Sequence, residues 1–157
     1  MTRHLDHLLL QIDKRDQVAL KQAAHTEFIG RYVNNQDSYL LMHDNQRCDF
    51  SPHQINHAFR ETIIVDGRQK KGGWSSSRIK RIPWISEVIQ GNAPHIACFN
   101  IDAGAEKGWD KERRLYVFHR YVVWLHRLDL NFEFSTAYLV DDLRDLRQYG
   151  RFGKKLI

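Results

Sequence analysis

The 157-residue chain is poor in cysteine and proline, with two of the first (Cys48 and Cys98) and three of the second. Two cysteines are too few for a disulfide scaffold, and they are expected to be reduced thiols in a cytoplasmic protein. No apolar run approaches the roughly 18 residues that a membrane helix needs, and mean hydropathy is -0.57. The amino-terminal Met1-Thr2-Arg3-His4-Leu5-Asp6 lacks the basic, then apolar, then small-residue order of a secretory signal. Nucleotide-binding fingerprints are missing as well: there is no GxxxxGKS or GxxxxGKT loop and no GxGxxG. HExxH, CxxC and GxSxG are equally absent, which removes the familiar zinc and serine-hydrolase signatures.

What is present is positive charge and imidazole. Lys and Arg number 24 against 19 Asp and Glu, a formal net charge of +5, and nine histidines add to it as the pH falls. With a sequence pI near 9.3, the chain favours polyanions over acidic partners. A composition of 42% hydrophobic and 27% charged residues is that of a folded domain.

Leu5 to Ala24 reads as a helix with Leu5, Leu8, Leu9, Ile12 and Leu20 near one stripe, a packing element or a partner-binding arm. Asn34-Asn35-Gln36-Asp37 is a turn signal, and Ser38 to Met42 a short strand. Ser51-Pro52-His53-Gln54 has the form of a helix start, with Ser51 as N-cap, Pro52 in the first turn and Gln54 closing a capping box. Ile55, Ala58, Phe59 and Thr62 then face the core, while His53, His57 and Arg60 share another stripe.

Thr62 to Val65 reads as a short strand. Asp66 to Gly73 reads as a mobile glycine-rich basic loop, followed by Ser75-Ser76-Ser77. Pro83 opens a helix that runs through Gln90 and stops at Gly91. His95 to Ile101, Arg113 to Arg127 and Leu130 to Val140 read as strands, the last two joined as an antiparallel hairpin. Asp102 to Asp110 is a loop, and Asp141 to Tyr149 a last helix.

Alternation on that hairpin puts Leu130, Phe132, Phe134, Thr136, Tyr138 and Val140 on one face. A two-residue loop at Leu128-Asp129 sets His119 opposite Tyr138 and Tyr121 opposite Thr136, gathering polar groups at one end of an apolar face. His53 and His57 have the spacing of two metal ligands on a helix. Without further ligands nearby, the alternatives are solvated histidines or, beside Arg60, a phosphate-directed acid–base set. Arg68, Lys70, Lys71, Arg78, Lys80 and Arg81, interrupted by Trp74, form a segment suited to phosphates and a stacked base.

From Ile55-Asn56-His57-Ala58-Phe59-Arg60, through the helix Ile-Pro-Trp-Ile-Ser-Glu-Val-Ile-Gln-Gly, to the strands around Tyr116 to Val123 and Phe132 to Tyr138, the order of elements resembles the barnase–EndoU–colicin–RelE-like nucleases, in particular their phage-associated branch. The resemblance spans roughly residues 51–149. It implies an α+β fold, a small antiparallel sheet with helices packed on one side, to which the sequence adds an N-terminal helix. Residues 1–50 are then a helical and strand extension, and 51–157 the nuclease-like domain, the two forming one unit.

The resemblance also implies metal-independent RNA cleavage without a cofactor, in a toxin or a phage or mobile-element nuclease. It carries over His57, Thr136 and Tyr138; His119 and Lys80 join them by position. His57 and His119 are the expected base and acid, Thr136 and Tyr138 position the phosphate, and Arg60, Arg68, Lys70, Lys71, Arg78 and Lys80 bind substrate. RNA is the expected partner, with an inhibitor or antitoxin docking on the N-terminal helix and no membrane. The competing readings are a non-catalytic nucleic-acid-binding protein and a protein-interaction module.

Overall fold

A computed structural model describes residues 2–13, 15–34, 39–105 and 110–157, with backbone alone at 2, 3 and 150–154. The fold is α+β. The strands are β1 (Tyr39–Leu41), β2 (Arg47–Asp49), β3 (Arg60–Val65), β4 (Arg68–Trp74), β5 (Ile96–Ile101), β6 (Arg113–Phe118), β7 (Tyr121–Leu128), β8 (Asn131–Leu139) and β9 (Gly153–Lys155). Seven of them form one sheet in the order β1-β2-β8-β7-β6-β5-β9, and β3 and β4 form a separate hairpin. The antiparallel sheet expected from the sequence is found only in part: β2 runs parallel to β8, pairing Cys48 with Phe132 and Asp49 with Glu133.

One face of the sheet is covered by α1 (Gln17–Phe28), α2 (Ile55–Ala58), α3 (Ser76–Ile79) and α4 (Ile82–Ile89). Phe118, Tyr121, Val123, Leu125, Phe132 and Phe134 alternate towards these helices, as a period of two requires. Phe28 anchors this layer, with its ring 5.4 to 5.9 Å from those of Tyr32, Phe50, Phe59 and Phe134. The opposite face is not bare. Leu115, Val122, Trp124 and Val140 pack there with Leu146 and Tyr149, from the 3-10 turn Leu143–Leu146 and α5 (Arg147–Phe152). The helix expected over Asp141 to Tyr149 is therefore split in two. Pro83 in the first turn of α4 and Gly91 at φ +75° just beyond it hold the expected helix in place. No helix among the described residues is long and apolar enough to cross a membrane.

The amino-terminal helix is interrupted. A 3-10 stretch, Thr2–Leu8, ends well before α1. Asp16 starts α1 as its N-cap, accepting from the N–H groups of Val18 at 3.0 Å and Ala19 at 3.2 Å, and Asp13 is engaged by the N–H of Arg15 at 2.9 Å. Such short-range carboxylate bonds compete with a continuous helix. Leu5, Leu20, Ala24 and Phe28 are buried in the main core, so this stripe is not an open docking face. β1 matches the expected strand, except that Ser38 lies outside the described residues, as do residues 35–37 of the expected turn and 106–109 of the expected loop. Cys48 and Cys98 are both buried free thiols, and burial pushes the Cys98 thiol up to about 12.

The basic stretch after Val65 is not a loop. Asp66 at φ +51° and Gly67 at φ +73° make the tight turn of the β3–β4 hairpin, in the conformation that Asp-Gly favours. Every residue from Glu61 to Lys70 is exposed, so the hairpin stands out from the body as an arm. Its base is clamped by Gln17 of α1, whose Oε1 accepts the Trp74 N–H at 2.7 Å while Nε2 donates to the Trp74 carbonyl at 3.2 Å.

The single strand expected from Arg113 to Arg127 is two, β6 and β7, with His119 at φ +52° in the turn between them. β7 and β8 are the expected hairpin, but the turn is at Asp129-Leu130, Leu128 pairing with Asn131. A bulge then intervenes: Leu125 pairs with Phe134 and Trp124 with Thr136, which leaves Ser135 as the extra residue. Beyond it, Thr136 and Tyr138 pair with Trp124 and Val122 and face away from the large core, not alongside Phe132 and Phe134. The expected pairings of His119 with Tyr138 and Tyr121 with Thr136 do not occur; Tyr121 pairs with Leu139.

Candidate active site

β2 pairs with β8 only at Phe132 and Glu133, and past that point the edge of β8 is bordered by α2 and α3. The bulge turns Thr136 and Tyr138 outward there. The hairpin arm meets the same place with Thr62, Gln69 and Lys71, which alternate onto one of its faces. His57 arrives from α2, which the expected Ser51–Gln54 start initiates: Gln54 Oε1 accepts the Ser51 N–H at 3.2 Å. Arg78 arrives from α3, capped by the Ser75 hydroxyl, which accepts the Arg78 N–H at 3.2 Å. These seven residues line a cleft of about 350 Å³.

The cleft is cationic and no carboxylate lines it among the described residues. Arg78 donates from Nη1 to the Ala58 carbonyl at 3.2 Å and lies 5.0 Å above the Tyr138 ring, a cation–π seat that leaves most of its donors uncommitted. Lys71 Nζ donates to the His57 carbonyl at 2.9 Å, and the Thr62 hydroxyl lies 3.5 Å away. The Tyr138 hydroxyl accepts from Trp124 Nε1 at 3.3 Å. Partial burial, followed by the charges of Lys71, Arg78 and His126, holds the His57 imidazole below its ordinary range. Burial, Arg78 and Arg60 likewise make the Lys71 ammonium more acidic than a free lysine. Crowded cations that disfavour one another's charge form a site that an anion relieves.

Of the ten residues singled out in the sequence, the cleft gathers His57, Thr136, Tyr138, Lys71 and Arg78. Arg60 stands beside it: its Nε donates to the Gly72 carbonyl at 2.9 Å, its guanidinium lies 6.0 Å from the Trp74 ring, and its charge is felt at Lys71. Arg68 and Lys70 lie on the arm with side chains on the face opposite Lys71. Lys80 follows α3 and its carbonyl accepts the Leu10 N–H at 3.0 Å, which places it beneath the amino-terminal segment, outside the cleft. His119 is not in the cleft either. It sits beyond the Tyr121–Leu139 end of the β7–β8 pair, packed on Phe118, with His95 as a charge neighbour. The physical reason is the β6–β7 turn, which ends the strand that was expected to carry His119 past Tyr138.

Two further residues reach the site without having been singled out. His126 and Glu133 are cross-strand partners on β7 and β8, with His126 Nε2 and Glu133 Oε1 3.2 Å apart. With His53, Gln54, Phe134 and Ser135 they line a recess of about 280 Å³ that shares His57 with the cleft. His53 and His57, noted for metal-ligand spacing, open onto this recess together. Among the described residues no group of three or more His, Cys, Asp or Glu side chains stands close enough to hold a metal ion. On the other side Arg78 and Tyr138 also wall a hollow of about 410 Å³ with Asp141, Asp145 and Tyr149. The cleft thus shares Arg78 and Tyr138 with the hollow on one side and His57 with the recess on the other. Comparison of the chain with protein-family models, curated proteins and solved structures returns no match.

Proposed function

We propose that the protein is a metal-independent ribonuclease that cleaves RNA by transesterification, with the scissile phosphate seated between Lys71, Arg78, Thr136 and Tyr138. One observation carries this reading: a depressed-pKa imidazole and two cations converge on a cleft that no carboxylate lines among the described residues. His57, neutral at pH 7, takes the proton of the 2′-hydroxyl as its oxygen attacks phosphorus. Arg78 stabilises the negative charge that grows on the non-bridging oxygens. The P–O5′ bond breaks, and Lys71, its ammonium made more acidic by its neighbours, gives the 5′-oxygen its proton. The products are a 2′,3′-cyclic phosphate and a 5′-hydroxyl end. Lys71 here takes the role expected of His119, which lies outside the cleft.

The test is to incubate mixed RNA with the protein in the presence of a chelator. Cleavage leaving 2′,3′-cyclic ends, with DNA intact, supports the reading. RNA that stays whole but is retained on the protein in a salt-dependent way supports a non-catalytic RNA-binding protein instead.

A further inference from the structure

The arm has one guarded edge and one open edge. β4 meets the body at its base, where Gln17 clamps Trp74, and carries Arg68, Lys70 and Lys71 along its length. Lysines on an edge strand discourage a further strand from adding. β3 has no such protection. Its centre is Thr62-Ile63-Ile64-Val65, a run of β-branched residues that are all exposed, Ile63 by 41% and Ile64 by 65%. Its only strand partner among the described residues is β4. Native proteins seldom leave an apolar strand edge bare.

The register identifies the free backbone groups. Asp66 and Gly67 both have positive φ and make a two-residue turn, so Val65 and Arg68, which flank it, exchange hydrogen bonds. By alternation Ile63 also faces β4, whereas the N–H and C=O groups of Thr62 and Ile64 point away from it. Among the described residues no hydrogen bond engages these outward groups.

We infer that β3 pairs antiparallel with β3 of a second copy of the chain, about a two-fold axis at Ile63. The inference stands apart from the ribonuclease reading. In a self-pairing the outward groups of Thr62 and Ile64 must meet outward groups of the other copy, which puts the axis on a residue and not between two. With the axis at Ile63, Thr62 of each copy exchanges hydrogen bonds with Ile64 of the other, and Ile63 packs on Ile63. Arg60 of each copy then comes opposite Asp66 of the other, so opposite charges meet at both ends of the ladder. Arg60 Nε is spent on the Gly72 carbonyl, and its other donors serve this pair. With the axis at Ile64, Arg60 has no partner, and with the axis at Thr62 each turn runs past Arg60 into α2 of the other copy. The two β4 strands become the outer edges of one ribbon, and their cations stop further addition, so association closes at two. Thr62, Gln69 and Lys71 of both copies lie on one side of that ribbon, which braces the arm wall of each cleft.

The experiment is sedimentation of the intact protein over a range of concentrations. An interface limited to two arms is smaller than the standard size, so a dimer is expected at about 100 μM and a monomer at about 1 μM. Ile63→Lys sets like charges opposite each other on the axis and is expected to weaken association about tenfold. Asp66→Asn suits the same turn but removes the end charge, and is expected to weaken it about threefold. Oxidation of Ile63→Cys and Ile64→Cys variants reads the register directly. Cα atoms facing each other across a non-hydrogen-bonded pair lie about 4.5 Å apart, within disulfide range, so Ile63→Cys is expected to crosslink faster. Chance collision favours the opposite order, because Ile64 is the more exposed, and the native Cys48 and Cys98 are buried. A monomer at the higher concentration, or a species larger than a dimer, overturns the inference. So does a dimer that Ile63→Lys and Asp66→Asn leave intact, or one in which Ile64→Cys crosslinks first.

Discussion

Two arginines of this protein lie against aromatic rings. Arg114 is 4.6 Å from the Phe132 ring centroid, and its side chain is 3% exposed. Its Nη1 donates to both carboxylate oxygens of Asp44, at 3.1 and 3.0 Å. Arg78 is 5.0 Å above Tyr138 and donates to a single backbone carbonyl, with no carboxylate in its cleft among the described residues. The first cation is neutralised within the chain and ties Asp44, after β1, to β6. The second is held in place by a ring and feels the charge of Glu61, but no salt bridge to a carboxylate engages it among the described residues. A paired buried arginine serves the fold, whereas an unpaired one beside a depressed imidazole is organised for a ligand.

The comparison is easiest to break at His57. Replacing it with Ala is expected to lower RNA cleavage by about 10²–10⁴-fold, the usual worth of a general base. The unfolding midpoint should stay put, because Lys71 is held by the His57 backbone carbonyl and not by the ring. A variant that cleaves at the wild-type rate removes His57 from the chemistry.

The arginines themselves give the next effects. Arg78→Met is expected to cost roughly 10²-fold in turnover with little change in stability. Arg114→Met is expected to cost about 3 kcal/mol of stability, the low end for a broken buried pair because Asp44 retains contact with water, and to leave turnover unchanged. Kinetics and denaturant melts on both variants check this, and exchanged outcomes would invert the assignment.

Acidification sharpens the contrast further. His43, His57, His119 and His126 are all held below the ordinary imidazole value, burial being the leading cause in each. The folded protein thus binds fewer protons than the unfolded chain, so stability is whole above about pH 6.5 and is lost as the pH falls from there towards the depressed folded values. Melting at pH 7 and pH 5 should show the lower midpoint at pH 5. The limb of the cleavage profile that reports the base should lie below 6.5.

The smallest effect belongs to the arm. Replacing Arg68 and Lys70 together with Ala should weaken RNA binding alike for every sequence and lower the slope of log affinity against log salt by about 2. An unchanged slope would leave these two cations out of the interface.

The helix at Pro83 and the start at Ser51–Gln54 were legible because capping chemistry is local and its residues are adjacent. So were β5, β7 and β8, through their aromatic and β-branched content. Thr62 to Val65 of β3 was legible, but β4 was hidden, although Asp66-Gly67 marks the turn between them, because exposed Arg and Lys on β4 erase the alternation that identifies a half-buried strand. The β6–β7 turn carries neither Gly, Pro, Asn nor Asp at His119-Arg120, so nothing punctuated the run. His57, Thr136 and Tyr138 were grouped through the family resemblance, whereas the register read from the hairpin set His119 and Tyr121 opposite Tyr138 and Thr136, pairings that do not occur. The His126–Glu133 pair needs the register itself, and the Arg114–Asp44 bond joins residues 70 apart in the chain, beyond the reach of any periodicity.

Ser135 gives β8 two reading frames. Up to Phe134, even-numbered side chains enter the large core; from Thr136 onward, odd-numbered ones do, as Ala137 shows. The strand is in effect spliced from two halves that obey opposite parity rules. Straightening the bulge with every residue kept would leave strand composition intact yet exchange compartments: Thr136 and Tyr138 would turn inward, and Ala137 would stand where the phosphate is proposed to bind. One unpaired position thus lets the binding face and the packing face be composed independently on the same backbone.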